Sequence, residues 1–132
     1  MPKPLKNIKV LLAEDNVSIC ELYAMAFMRK GFTVYTASDG QQALDKIAKK
    51  SPDIVLLDIM MPNVDGYQVL AEIRKDLTKY VPVIMLTNLD ATHFEREARF
   101  DDIDEYLIKS HHSPSEVVEK TMEILHLNHL LD

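Results

Sequence analysis

Three carboxylates, a hydroxyl and an ammonium stand at the carboxyl ends of short apolar runs in this chain. Glu14 and Asp15 follow Ile8–Ala13, Asp58 closes Asp53–Asp58, Thr87 closes Pro82–Thr87, and Lys109 closes Glu105–Lys109. Brought together, the three acids would repel one another, and protons or cations would have to compensate. A hard divalent ion suits such a site: Mg²⁺ takes near-octahedral oxygens at about 2.0–2.1 Å and keeps several waters. A carboxylate held beside Mg²⁺ and a lysine is equipped to attack phosphorus. Phosphoryl transfer requires alignment and neutralisation of the equatorial oxygens more than covalent help. Mg²⁺, Lys109 and the Thr87 hydroxyl would together cover the three oxygens, and Asp is an established type of acceptor. The product would carry about −1.5 to −2 charges, as other phospho-residues do. That is enough to draw a hydroxyl toward it and rearrange a nearby loop.

The elements that must position these groups alternate between strand and helix. Ile8–Ala13 reads as a buried strand. Ile19, Leu22, Tyr23, Ala26 and Phe27 form a helical stripe, and Gly31 stands where a helix end favours a left-handed residue. Phe32–Ala37 is rich in β-formers. Ser38-Asp39-Gly40-Gln41 has the form of a capping box with Ser38 as N-cap, so a helix with Leu44, Ile47 and Ala48 inward should follow and end at Pro52. Asp53–Asp58 is apolar enough to be buried on both faces. After the loop Pro62–Gly66, Val69, Leu70, Ile73 and Leu77 give a third helical stripe. Pro82–Thr87 is the fourth strand. Asp90 is placed to cap a helix from Ala91 to about Arg99, and Glu105–Lys109 is a short fifth strand. Ser113-Pro114-Ser115-Glu116 is a helix start with Pro in the first turn, and Val117, Val118, Thr121, Met122 and Leu125 line its inner side.

Five strands alternating with five helices imply an α/β fold with a parallel sheet covered on both faces and right-handed crossovers. In the flavodoxin-like strand order 2-1-3-4-5, strands one and three are neighbours, and all five chemical groups meet on one rim. Functional groups gather at such carboxyl ends, near the topological switch point.

The totals agree with one globular unit. The 132 residues are 47% apolar, which suits a packed domain over 1–132 with its core in about 8–125. Fifteen Lys and Arg against 21 Asp and Glu give a net charge of −6, which argues against direct nucleic-acid binding. The single cysteine, Cys20, has no internal disulfide partner and reads as a small apolar residue. No apolar run approaches the roughly 20 residues that span a bilayer, and Met1-Pro2-Lys3-Pro4 lacks a signal-peptide pattern. The expectation is a cytoplasmic protein without membrane contact.

The segments Leu12-Ala13-Glu14-Asp15-Asn16, Leu57 to Gly66, Leu86-Thr87 and Tyr106-Leu107-Ile108-Lys109 resemble the receiver domains of two-component response regulators. The resemblance runs from about Ile8 to Leu125. It implies that Asp58 is the phospho-acceptor, that Asp15 binds Mg²⁺ directly and Glu14 through water, and that the Met60 carbonyl completes the protein ligands. It implies that Thr87 and Tyr106 are a switch pair, with Thr87 drawn to the phosphoryl group and Tyr106 turning inward, and that Lys109 binds a phosphoryl oxygen. The face of helix four, strand five and helix five would then change its partner preference. The implied donor is a phosphohistidine on a sensor histidine kinase or phosphotransfer protein. The output protein is unknown, and the state is a monomer or a phosphorylation-dependent dimer.

Some positions depart from the family pattern. Ser110 follows Lys109 where the family has Pro, commonly cis; a non-proline cis bond costs about 2.5–4 kcal/mol, so a trans bond is expected, with some displacement of Lys109. Asn88 replaces a small residue after Thr87. Asp102 and Ile103 lie in a turn where the family has Gly, so either the turn is stiffer or Asp102 takes the left-handed conformation Asp tolerates. Met60 and Leu89, two residues after Asp58 and Thr87, are apolar and cannot orient water, so slow autodephosphorylation is expected.

Simpler and rival readings exist. Tyr106 alone would pass as a half-buried strand aromatic. His111, His112, His126 and His129 read as solvated or helix-end residues and lack an evident further zinc ligand. Gly31, Gly40 and Gly66 form no phosphate-cradling motif. One rival is a receiver-like binding module that is never phosphorylated. The other is a Mg²⁺-dependent phosphohydrolase of the same fold class, which would lack an acid at Met60.

Overall fold

The computed structural model describes residues 2–88 and 103–132. Its five strands are β1 (Lys9–Ala13), β2 (Thr33–Ala37), β3 (Ile54–Asp58), β4 (Val83–Thr87) and β5 (Glu105–Ile108). They form one sheet in the order β2-β1-β3-β4-β5, with every neighbouring pair parallel. Among the described residues there are four α-helices: α1 (Val17–Lys30), α2 (Gly40–Lys50), α3 (Gly66–Lys75) and α4 (Pro114–Leu127). The helix expected over residues 91–99, with Asp90, Leu89 and Asp102, lies outside the described residues. No helix among those described is long and apolar enough to cross a membrane.

Strand periodicity divides the core. Val10, Leu12, Ile54, Leu56, Ile84 and Leu86 face one side and pack with Tyr23 and Phe27 of α1 and Val117 and Leu125 of α4. Leu11, Ala13, Val55, Leu57, Val83 and Met85 face the other and pack with Ala43 of α2 and Val69, Leu70 and Ile73 of α3. Successive residues of a strand point to opposite faces, so continuous apolar runs feed both layers. β3 and β4 are buried along their whole length. β2 and β5, at the edges, are mostly half-buried.

Gly31 ends α1 at φ 116°, the left-handed conformation expected there. Ser113 and Glu116 form the expected capping box of α4. The start of α2 differs from expectation: the N-cap is Asp39, which accepts from the Gln42 amide, and Gln42 reaches back to the Ser38 N–H. Ser and Asp are comparable caps; the tertiary setting selects Asp39, whose second oxygen meets Asn63. Leu77 is not on the third stripe. α3 stops at Lys75, Asp76 accepts from the Thr78 amide at 2.9 Å, a local bond that competes with helix, and Leu77 is 94% exposed. Leu22 and Ala48 also face outward; Cys20 and Ala24 on α1 and Ala43 on α2 are buried instead. The buried stripes are rotated slightly from the expected ones.

Two glycines are needed for close approach. A Cβ on Gly40 would lie 1.7 Å from the Val64 carbonyl oxygen, and one on Gly66 would lie 2.4 Å from that of Asp58. In an unobstructed helix Gly→Ala stabilises by about 1 kcal/mol. Here Gly40→Ala is expected to destabilise by about 1–3 kcal/mol through overpacking, seen as a lower urea midpoint at unchanged m-value.

Candidate functional site

β1 and β3 are adjacent, with Ala13 paired to Leu57, so Glu14 and Asp58 emerge side by side from the sheet. Glu14 is held by its own backbone, whose N–H donates to the Ala37 carbonyl at 2.9 Å. Asn16 caps α1 by accepting from the Ile19 N–H at 3.0 Å, and its own N–H donates to Glu14 Oε2 at 3.0 Å. The Met60 N–H donates to Asp58 Oδ1 at 3.2 Å. Glu14, Asp15 and Asp58 each bring one carboxylate oxygen into a set whose members lie within 4.8 Å of one another.

Lys109 completes the cluster from the far side. It stands just past β5, in a short 3₁₀ turn over Lys109–His111. Its ammonium donates to Asp58 Oδ2 at 3.0 Å and also to Glu14 Oε1. The Lys109, Glu14 and Asp58 side chains are 6, 5 and 8% exposed. The Lys109–Ser110 bond is trans, as expected for a non-proline bond; no cis peptide occurs among the described residues. With this trans bond the Lys109 ammonium reaches both acids.

Burial pushes the Glu14 carboxyl up, against the hydrogen bonds from Lys109 and the Asn16 N–H, and the charge of Asp58 adds to the rise. Burial would lower Lys109, but its hydrogen bonds to Glu14 and Asp58 and their charges outweigh this and hold the ammonium above its ordinary value. Lys109 is therefore a firmly cationic counter-ion at neutral pH. Tyr23 was not singled out by sequence. It is 5% exposed, and burial pushes its hydroxyl up against the opposing charge of Lys109, with the charges of Glu14 and Asp58 adding to the rise. Its stripe position on α1 signals core, and nothing local signals its nearness to the site. Asn16 carried a readable signal, an N-cap type before an amphipathic stretch.

Glu14, Asp15, Asn16, Ile19, Asp58, Met60, Asn88 and Lys109 line one cleft of about 270 Å³. Met60 is 64% exposed. Thr87 is fully buried at the end of β4, one residue beyond Leu86, the partner of Asp58. Tyr106 pairs with Met85, deeper in the sheet, is half-buried and does not line the cleft. Cys20 is buried, and burial pushes its thiol up. The group of Glu14, Asp15 and Asp58 contains no histidine.

Acidic oxygens of this density, partly open to solvent, have the chemistry of a hard divalent-cation site, so the residues present fit Mg²⁺. Lys109→Met would leave two buried acids without their counter-charge. It is expected to destabilise the chelator-treated protein by about 3 kcal/mol, with millimolar Mg²⁺ restoring part of the loss by mass action. Urea midpoints with and without Mg²⁺ check this.

Residues 10–121 match the family model of the response regulator receiver domain. The "Probable transcriptional regulator ycf27" of Guillardia theta is 40% identical over 117 residues, covering 89% of this chain and 45% of that protein. The chain spans about half the length, 39–49%, of the curated relatives it matches. The receiver domain of Francisella response regulator 1452 superposes with a TM-score of 0.82 at 32% identity, covering 92% of this chain and 99% of that one. The response regulator TrrA of Thermotoga maritima, solved in complex with Mg²⁺-BeF, superposes with a TM-score of 0.79 at 32% identity, covering 89% and 99%. Sheet order, acidic cleft and similarity lead to one conclusion: the chain belongs to the receiver domain family of response regulators.

Proposed function

We propose that Asp58 accepts a phosphoryl group from a phosphohistidine donor, with Mg²⁺ held by Asp15, Asp58 and the Met60 carbonyl, and by Glu14 through water. The observation that carries this reading is the Asp58 carboxylate, held between the buried Lys109 ammonium and the Met60 N–H at the floor of an open acidic cleft. Bound Mg²⁺ would supply alignment and neutralise charge on the transferring group. An Asp58 oxygen attacks phosphorus in line, the P–N bond to the donor histidine breaks, and its electron pair returns to the ring. Lys109 takes a phosphoryl oxygen, and the Thr87 hydroxyl, one residue beyond the β3–β4 pairing, takes another. Movement of Thr87 leaves space beside β5, and Tyr106 turns into it, altering the face around β5 and α4. That face selects the output partner.

The donor would be a sensor histidine kinase or a phosphotransfer protein in the cytoplasm. Residues 1–132 serve as one receiver unit, monomeric or dimerising on phosphorylation. The relatives' names speak of transcriptional regulation, which favours an output on DNA. The net charge of −6 argues against direct DNA contact by this unit, so a partner or a further region would make that contact. The domain acts as a signalling acceptor rather than a turnover enzyme.

Intact mass after incubation with acetyl phosphate tests the chemistry. The expected result is one added phosphoryl group that needs Mg²⁺ and vanishes in Asp58→Asn. No modification of the folded protein would favour a constitutive binding module. The exposed, apolar Met60 at the cleft cannot orient an attacking water, so the phosphorylated form should be long-lived. Met60→Asn combined with Leu89→Glu should shorten its half-life by about fivefold or more, the worth of one hydrogen bond of about 1 kcal/mol to that water. Phosphate release followed over time measures it.

A further inference from the structure

The loop 59–65 joins the acceptor strand to α3 and carries the Met60 carbonyl. Met60 is 64% exposed, so its side chain contributes little packing to orient its own backbone. Its N–H donates to Asp58 Oδ1 at 3.2 Å, and the rest of the restraint on its backbone comes from elsewhere along the loop. At the near end, the Gly66 N–H donates to the Ile59 carbonyl at 2.9 Å. In the middle, the loop leans on the start of α2, where Gly40 lies against the Val64 carbonyl so closely that no Cβ fits. Asn63 holds a left-handed φ of 68°, and its Nδ2 donates to Asp39 Oδ2 at 3.1 Å. The other Asp39 oxygen accepts from the Gln42 N–H at 2.8 Å. One carboxylate thus caps α2 with one oxygen and holds the acceptor loop with the other.

We propose that Asp39 and Asn63 are a positioning pair for the cation site, fixing the loop so that the Met60 carbonyl stays aimed at the Asp15–Asp58 cleft. The pair touches neither the cation nor the phosphoryl group. It acts through about three residues of backbone, and it makes the start of α2 part of the site's architecture. The proposal rests on the Mg²⁺ reading given above and extends it to residues outside the cleft.

Two substitutions break the bond and spare the local backbone. Asn63→Gly accepts the left-handed conformation without strain. Asp39→Ser keeps an N-cap oxygen for α2 but has no second oxygen for Asn63. ¹⁵N-labelled full chains of the wild type, each single variant and the double variant are titrated with MgCl₂, and the amide shifts of Met60 and Gly66 are followed. Urea midpoints are taken without Mg²⁺. Each single variant should raise the Mg²⁺ Kd by about fivefold, the worth of one hydrogen bond, and the double variant should add nothing, because both remove the same bond. A contact that merely supports the fold would lower the urea midpoints and leave Kd unchanged, which overturns the proposal. So would single effects that multiply in the double variant, the pattern produced if the Asp39 charge acted independently. A wild type that shows no Mg²⁺ shifts would defeat the cation reading and this inference with it; a wild type that binds while the variants match it would defeat the positioning pair alone.

Discussion

The ion-pair cluster of Lys109 with Glu14 and Asp58 sets the conditions for the rest of the site. Neighbouring parallel strands bring two carboxylates side by side, and both are nearly excluded from water. Their repulsion and desolvation need a compensating charge. The chain supplies it from β5, two strands from β3 in the sheet. The same arrangement leaves Asp15 exposed beside the buried pair, so the cluster is compensated on its inner side and open on its outer side. That asymmetry makes the site receptive to a cation and a phosphoryl group from solvent.

The parallel topology also polarises the molecule. α1, α2 and α3 each end in a pair of basic residues, Arg29-Lys30, Lys49-Lys50 and Arg74-Lys75, which suits the negative end of the helix dipole. The Lys9 ammonium donates to the carbonyl of Lys50, the last residue of α2. These cations lie at the helix C-termini, whereas the acids of the site gather at the carboxyl ends of the strands, where the helices begin. Basic groups therefore satisfy helix ends away from the cleft, and among the described residues that line the acidic cleft Lys109 is the cation.

Rigidity at the cleft comes from backbone contacts rather than from large side chains. Gly66 allows its helix start to sit against the Asp58 carbonyl, and Gly40 allows α2 to sit against Val64. Asp65 and Gln68 close a capping box at the start of α3. The loop after Asp58 is thus bounded by two helix starts. Met60 and Asp15 remain open to solvent at its edge.

Sequence alone is enough to locate the five strands, four helices within the described residues, the α4 capping box and the acids and lysine that meet in the cleft. Apolar periodicity and caps act within a few residues, and the motifs around Asp58 and Lys109 are contiguous. What it could not decide was which groups share charge. Glu14 and Lys109 are 95 positions apart, and their meeting depends on strand order and on the depth of the cleft. The same holds for Tyr23 beneath the site and for Asp39 displacing Ser38 as the cap of α2, a choice made by its second oxygen reaching Asn63. The end of α3 is not legible locally, because Leu77 continues the apolar spacing while Asp76 turns the chain away. Local patterns are set by a residue and its near neighbours, whereas charge partners and close backbone approaches exist only once distant segments are packed together, and that packing belongs to the tertiary structure.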